Sequence, residues 1–490
     1  MKAISLKRIL ALALCLAMVL GLVACGGGSN ETTAPQETNP PATEAVETEP
    51  VVEEPKYDFG GRVFRIGSYY DMTPDPQESA LKEALAERIA YVEENYNCTI
   101  EFVKIDGDYM AEYVTSVLAG DPIVDIGYVI TYRLLPALIE GGIAYPLSQL
   151  EALDLSEYKW RGDVTEAGTY KGEQYMMLLK DPEIRYGIFW NKTLFDRYGL
   201  PNLYELVENG EWTWDKFQEI AMNANQDLDQ DGNIDIYGFN ARESLPWCYM
   251  YSNGASVSTK TESGIEVDLS DAKVVEALTE LQDFNANVTY RNAIDWSTEG
   301  WDAFITGFRD GKYFMCLEEF WISYSYLNAA EGGMADDWGW VPFPQGPSAD
   351  GWSCYGKEFG ARFILNGVEN PEEVALVYDL ITDIAETEEE WDELLEDRLE
   401  NWCDDAETVE LVSMIYQENL SIIDGVKGFS DLNSIINEMF NKIASGEMTP
   451  ATALETYQSA IDSALADLEN HNYEEDMNAY LPVEEETTGE

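Results

Sequence analysis

Apolar positions along this chain recur with two periods, and the switching between them predicts the fold class. Arg62-Val63-Phe64-Arg65-Ile66-Gly67 alternates with period two and predicts a strand that closes at a glycine. Residues 78–96 then carry Leu81, Leu85, Ile89 and Val92 at helical spacing. Thr99 to Val103 predicts a second strand, Tyr109 to Leu118 a helix, and Val124 to Val129 a third strand. Leu134 to Ile139 predicts a further helix, which Gly141-Gly142 stops. Strand and helix in alternation predict an α/β protein, with a mostly parallel sheet covered by helices on both faces.

The same patterning resumes further along. Tyr186 to Trp190 predicts a strand. Thr213 caps a helix whose inner face is Trp214, Phe217, Ile220 and Ala221. Asn370-Pro371-Glu372-Glu373 predicts a cap, a proline at the first helical position and acids at the positive helix end, ahead of Val374, Val377, Leu380, Ile381 and Ile384. The acidic run from Glu386 to Glu400 reads as a solvated helix face. Thr449-Pro450 opens a helix with Leu454, Tyr457, Ile461, Leu465 and Leu468 along one stripe.

Before residue 57 the pattern is different. Lys2, Lys7 and Arg8 flank an apolar stretch from Ile9 to Gly21, shorter than the roughly 20 residues of a membrane span. With small residues after it, residues 1–24 read as a secretory signal peptide. Cys25 directly follows Leu22-Val23-Ala24 and resembles the bacterial lipobox, in which the cysteine becomes the lipidated N-terminus. The alternative is an ordinary signal peptide with a chance cysteine. Gly26 to Ser29 reads as a flexible segment, and residues 30–55 hold Glu, Thr, Pro and small residues, a composition with too few large apolar groups to predict order. Residues 25–56 therefore read as a lipidated cysteine and a spacer, reaching roughly 30 Å by square-root scaling.

Composition narrows the function classes. The formal net charge is −64, from 93 acidic and 29 basic residues. Nucleic acid is excluded as a partner, because its phosphates need Lys and Arg to neutralise them. Anionic lipid heads are disfavoured for the same reason, which leaves the lipid anchor as the membrane contact. The chain after residue 56 is longer than one ordinary core and predicts two lobes. Cys98, Cys248, Cys316, Cys354 and Cys403 are scattered, with no CxxC spacing, so buried free thiols are expected rather than a zinc site. The single histidine, His471, sits in a polar stretch near the C-terminus, which removes His-dependent triads and zinc catalysis.

Several stretches, in one consistent order, resemble extracellular solute-binding proteins of family 1. Gly120-Asp121-Pro122-Ile123-Val124-Asp125-Ile126 is similar to the family's G-x-x-PDV strand. Ile139 to Leu147 is similar to its Gly-x-x-x-Pro-Leu turn, and Trp190-Asn191-Lys192-Thr193-Leu194-Phe195 through Gly199-Leu200-Pro201 to its YNK-x-LF…GLP segment. Thr213-Trp214-Asp215-Lys216-Phe217, Phe308 to Met315 and Trp338 to Pro347 match three further segments. Val124 stands where the family favours Pro, and Tyr355-Gly356-Lys357-Glu358 departs from its Gly-rich turn. The resemblance implies two α/β lobes joined by a hinge and closing on a ligand in an interlobe cleft, the periplasmic-binding-protein-like fold. Lobe one would hold 57–181 plus 346–400, and lobe two 182–345 plus 401–485. It also implies a monomeric partner of ABC transporter permease subunits on the outer face of the cytoplasmic membrane.

A carbohydrate presents apolar C–H faces and hydroxyls, which aromatic rings, carboxylates, amides and Arg recognise. The resemblance nominates Trp321, with Glu318 and Glu319 beside it, and Trp247 with Asn253. Position at the carboxyl ends of predicted strands nominates Tyr69, Tyr70, Thr131, Tyr132 and Arg133. Each has core or rim packing as its alternative role. Asp227-Leu228-Asp229-Gln230-Asp231-Gly232-Asn233-Ile234-Asp235 places oxygens at calcium-loop positions one, three, five and nine, with Asn233 at seven and Gly at six. Position twelve is Gly238 rather than Glu, and a strand-like segment follows, so structural Ca²⁺ and a water-solvated acidic turn both remain open. No cofactor for catalysis is expected.

Two other functions stay open on the sequence. A surface-anchored glycoside hydrolase could use paired carboxylates without histidine. A non-sugar solute, including a cationic one that Glu318 and Glu319 would attract, is the other. The expectation is a lipid-anchored binding protein, not an enzyme, that captures a sugar or oligosaccharide for import.

Overall fold

The computed structural model describes residues 57–261, 264–295, 298–328 and 332–481. The expected signal peptide, Cys25 and the spacer lie outside the described residues. Among the described residues no helix is long and apolar enough to cross a membrane.

Two four-stranded sheets organise the chain. The first is built from β1 (Arg62–Ser68), β2 (Cys98–Lys104), β3 (Ile126–Ile130) and a late strand, β8 (Gly360–Ile364). Its order is β8-β3-β1-β2. Strands β2 and β3 run parallel to β1, and β8 is antiparallel to β3 with Gly360 opposite Ile130. The helix Ala80–Tyr96 packs Val92 and Tyr96 on one face with Phe64 and Ile66, while Tyr113 and Val114 of the helix Tyr109–Leu118 cover the other with Val129 and Phe363. This is the alternation read from the sequence. The expected helix over 134–139 is instead two short turns, Thr131–Leu134 and Ala137–Glu140, separated by Leu135-Pro136.

The second sheet holds β4 (Tyr186–Asn191), β5 (Tyr237–Asn240), β6 (Tyr313–Glu319) and β7 (Trp338–Val341), in the order β7-β4-β6-β5. It corrects the expectation of a mostly parallel sheet. Both neighbours of β4 are antiparallel to it, and only β5 and β6 pair parallel. The reason is topological: β4 arrives from the first half of the chain and enters the middle of the sheet. All six residues of β4 are buried. Ile188 and Trp190 face a cluster with Phe217, Leu281 and Ile436, and Phe189 faces the opposite cluster with Trp338 and Trp340. At Gly187 any Cβ would lie 2.2 Å from the Trp340 ring, so only glycine allows this approach.

The acidic run forms the helix Glu388–Trp402, which turns Trp391, Leu395 and Leu399 inward and its acids outward. Those inward residues share a cluster with Trp338 and Trp340 of the second sheet and with Leu81, from the helix beside the first. Thr213 and Thr449 cap their helices as expected. Asn370 does not: it adopts φ 47 and makes no side-chain cap bond. The two acids after Pro371 work as clamps instead. Glu372 accepts from the Glu151 and Ala152 amides, and Glu373 pairs with Arg62 at 3.0 Å. Arg62 also pairs with Asp125, so the acid of the strand motif is structural. All five cysteines among the described residues are buried free thiols. His471 is exposed and hydrogen-bonds Asp476.

Candidate functional site

The chain passes from the first sheet to the second through residues 181–185 and returns through 354–359. Antiparallel pairing of β4 and β6 sets Glu319 opposite Tyr186, beside the first crossing. Glu319 accepts from the Tyr186 hydroxyl at 2.9 Å and from Arg185 at 3.1 Å, and pairs with Lys357 at 3.4 Å. Arg185 also meets Glu183 at 2.7 Å and donates Nε to the Glu358 carbonyl at 2.6 Å. The guanidinium groups of Arg185 and Arg161 lie 4.9 and 3.8 Å from the Phe359 ring centroid. Arg161 in turn donates to the Glu183 carbonyl and pairs with Asp163. The two crossings are thus stapled together by charge-assisted bonds and cation–π contact.

Two adjacent carboxylates at the end of β6 are tuned in opposite directions. Burial pushes Glu318 above the ordinary carboxylate value although Arg242 opposes it, through bonds from Nε at 3.0 Å and from Nη2. Burial acts the same way on Glu319, but Arg185, Lys357 and the Tyr186 hydroxyl outweigh it and hold its pKa below that value. Both carboxylates therefore carry cations already.

Just beyond them, Trp321 is partly buried and packs at 6.3 Å, 30° against Trp301, which is 53% exposed. Tyr326 closes the edge of Trp321 at 5.8 Å, and Arg242 Nη1 donates to the Trp301 carbonyl. At the carboxyl end of β1, Tyr69 and Tyr70 are 45% and 41% exposed and pack edge-on to Tyr128. Arg362 stacks on Tyr128 and stands beside the Tyr70 hydroxyl, with Glu183 nearby. Arg185 thus joins Glu183 to Glu319, while Arg362 is the charged group beside the Tyr70 hydroxyl. After β3, Thr131 is buried and its hydroxyl accepts from the Phe359 amide. Arg133 is exposed and lies against Tyr132 and Tyr109.

Trp247 and Asn253 sit elsewhere. Trp247 is 1% exposed, stacked on Tyr355 and Tyr251, with Lys427 Nζ 4.1 Å from its ring. Asn253 is fully buried; it donates to the Lys273 carbonyl and Glu276 and accepts from the Ser348 amide. Both side chains are interior packing, not cleft surface, in this structure. Sequence reasoning did not single out Arg185, Arg242, Trp301 or Lys357, which the structure places beside Glu318, Glu319 and Trp321. The departure noted at Tyr355-Gly356-Lys357-Glu358 was a signal: that segment is the return crossing.

In the acidic loop, one carboxylate oxygen from each of Asp227, Asp229 and Asp235 lies within 4.8 Å of the others. Hard oxygen donors are the kind Ca²⁺ takes, but three of them are fewer than the roughly six to eight it needs, so carbonyls or water would have to complete the set. Asp231 is not one of the three and accepts from the Asn233 amide and side chain.

Two α/β halves, a chain that passes between them more than once and an aromatic, charge-lined junction define the two-lobed binding-protein class. The chain belongs to the bacterial extracellular solute-binding protein family, whose sequence profile matches residues 73–384. Its fold is similar to the cyclic alpha-maltosyl-1,6-maltose binding protein from Arthrobacter globiformis, at TM-score 0.59 and 16% identity, covering 84% of this chain and 100% of that one. It is similar to the maltose-binding periplasmic protein MalE from Listeria monocytogenes in complex with maltose, at 0.58 and 14%, covering 84% and 99%. It is also similar to UgpB from Mycobacterium tuberculosis in complex with glycerophosphocholine, at 0.56 and 13%, covering 83% and 98%. At these identities the likeness concerns the fold. No curated protein matches the chain in sequence.

Proposed function

We propose that this chain captures an oligosaccharide between its lobes and hands it to the permease subunits of an ABC importer. One observation carries the reading. An exposed Trp301 packs on Trp321 at the end of β6, the exposed Tyr69 and Tyr70 stand at the end of β1, and Glu183, Arg185 and Arg362 supply charged groups at the crossing between the two sheets. Aromatic faces on both lobes with charged hydrogen-bonding groups between them suit a polyhydroxylated ligand with C–H faces. Maltose in one of the similar structures, and the name of another as a cyclic alpha-maltosyl-1,6-maltose binding protein, support the same class. Glu318 and Glu319 already pair with cations, which supports a neutral ligand over a cationic one.

The anchor is part of this proposal. Cys25 after Leu22-Val23-Ala24, followed by a Pro- and Glu-rich spacer, supports tethering of a monomer to the outer face of the cytoplasmic membrane. Tethering would raise its effective concentration at the importer. The loop at Asp227, Asp229 and Asp235 would hold a structural Ca²⁺.

Thermal unfolding against a panel of mono- and oligosaccharides tests the function. A ligand at 100 times its dissociation constant adds about 2.7 kcal/mol. Recovery of the stabilising saccharide intact is the expected result; recovery of cleaved product, or stabilisation only by non-sugars, would overturn it.

A further inference from the structure

A cavity of about 600 Å³ opens beside Arg242, within the second lobe. Its size lies in the range of small-molecule sites, about 300–1,000 Å³. It is bounded by the turn after β5, the helix Ala272–Asn287 and the last turn of the helix Ser430–Ala444. Leu245, Leu281, Phe304 and Ala444 give it apolar walls, and none of the residues nominated from the sequence reaches it.

Apart from Arg242, its polar groups are neutral or acidic. Tyr290 Oη donates to Asn285 Oδ1 at 2.7 Å, which fixes both at the wall. Asn441 offers an amide with no partner among the described residues, and Glu243 a carboxylate without an ion pair. The cation present, Arg242, is committed to Glu318 and to the Trp301 carbonyl. An anion would find no free charge here. A ring with apolar faces and hydroxyls would find both aliphatic walls and acceptors.

Arg242 also joins this cavity to the cleft. Its guanidinium stands 5.7 Å from the Phe304 ring inside the cavity, while its bonds reach Glu318 and Trp301 outside. We propose that the cavity is a second saccharide subsite, held by the second lobe alone, taking a sugar unit beyond the one stacked on Trp301 and Trp321. The chain then selects oligosaccharides by length or branching. This rests on the proposed function.

Calorimetric titration tests it, with linear α-1,4-gluco-, β-1,4-gluco-, β-1,4-xylo- and β-1,4-manno-oligosaccharides of increasing length. Ala444→Trp fills the cavity. It should weaken the longest saccharide bound by about tenfold or more and leave the shortest within about twofold. Trp321→Ala should weaken all lengths. Asn441→Leu, at an exposed position, repeats the comparison should the tryptophan variant fail to fold. Equal effects on every length, or none, would overturn the subsite while the cleft stands. Binding of no saccharide by the unaltered chain would overturn the proposed function, and the subsite with it.

Discussion

Replacing Arg242 with Met isolates the electrostatics of the second lobe's buried carboxylate. The Glu318 side chain is 4% exposed, and its cation is Arg242. Methionine keeps an apolar stem near Phe304 and removes the charge. Losing one member of a buried pair costs about 3–5 kcal/mol, because the survivor stays desolvated and unpaired. Arg242 is itself 24% exposed, so water reaches the pair and the lower end, about 3 kcal/mol, applies. The pH dependence follows from the direction of the shift. Burial holds Glu318 above the ordinary carboxylate value, and loss of Arg242 raises it further. A carboxyl with a raised folded pKa binds more protons folded than unfolded, so stability falls as pH rises between the two values. Each pH unit inside that window is worth about 1.4 kcal/mol. Urea midpoints at about pH 5.5 and about pH 8, at unchanged slope, should show a larger deficit at the higher pH. Glu318→Gln in the same chain should recover most of the loss and flatten the pH dependence. A loss under about 1 kcal/mol, or one equal at both pH values, would refute the reasoning.

Trp301→Ala should weaken saccharide binding by about tenfold while costing no more than about 0.5 kcal/mol of stability, since the ring is half exposed; calorimetry and melting check the pair, and unchanged affinity counts against the platform. Chelation should lower the melting midpoint, calcium should restore it, and Asp227→Asn should abolish the response; an unmoved midpoint retires the metal site. Gly187→Ala should cost about 1–3 kcal/mol or more by overpacking against Trp340, and a neutral effect in urea unfolding would contradict the close approach. Burial pushes the thiols of Cys98 and Cys354 up to about 11 and about 12, so a thiol reagent should label the described cysteines only after unfolding. Rapid labelling of the native chain would show an open thiol.

Consecutive residues determined a good deal. β1, β2 and β3, the helices between them and the caps at Thr213 and Thr449 were legible because periodicity and capping act over a few neighbours. The free thiols followed from spacing, and the family from short motifs in a consistent order. Asn370 failed as a cap because its left-handed backbone is set by its tertiary position next to the clamp of Arg62 on Glu373. The mixed second sheet, the burial of Trp247 and Asn253 and the exposed packing of Trp301 on Trp321 were illegible for a related reason. Strand direction and exposure depend on which distant segments arrive alongside. Arg185 meets Glu319 across 134 residues and Glu358 across 173, and Arg242 meets Glu318 across 76. With 93 acids in the chain, sequence alone leaves each of these cations a wide choice of partners. Only the tertiary fold, by desolvating particular pairs while leaving most others in water, decided which charges form the site.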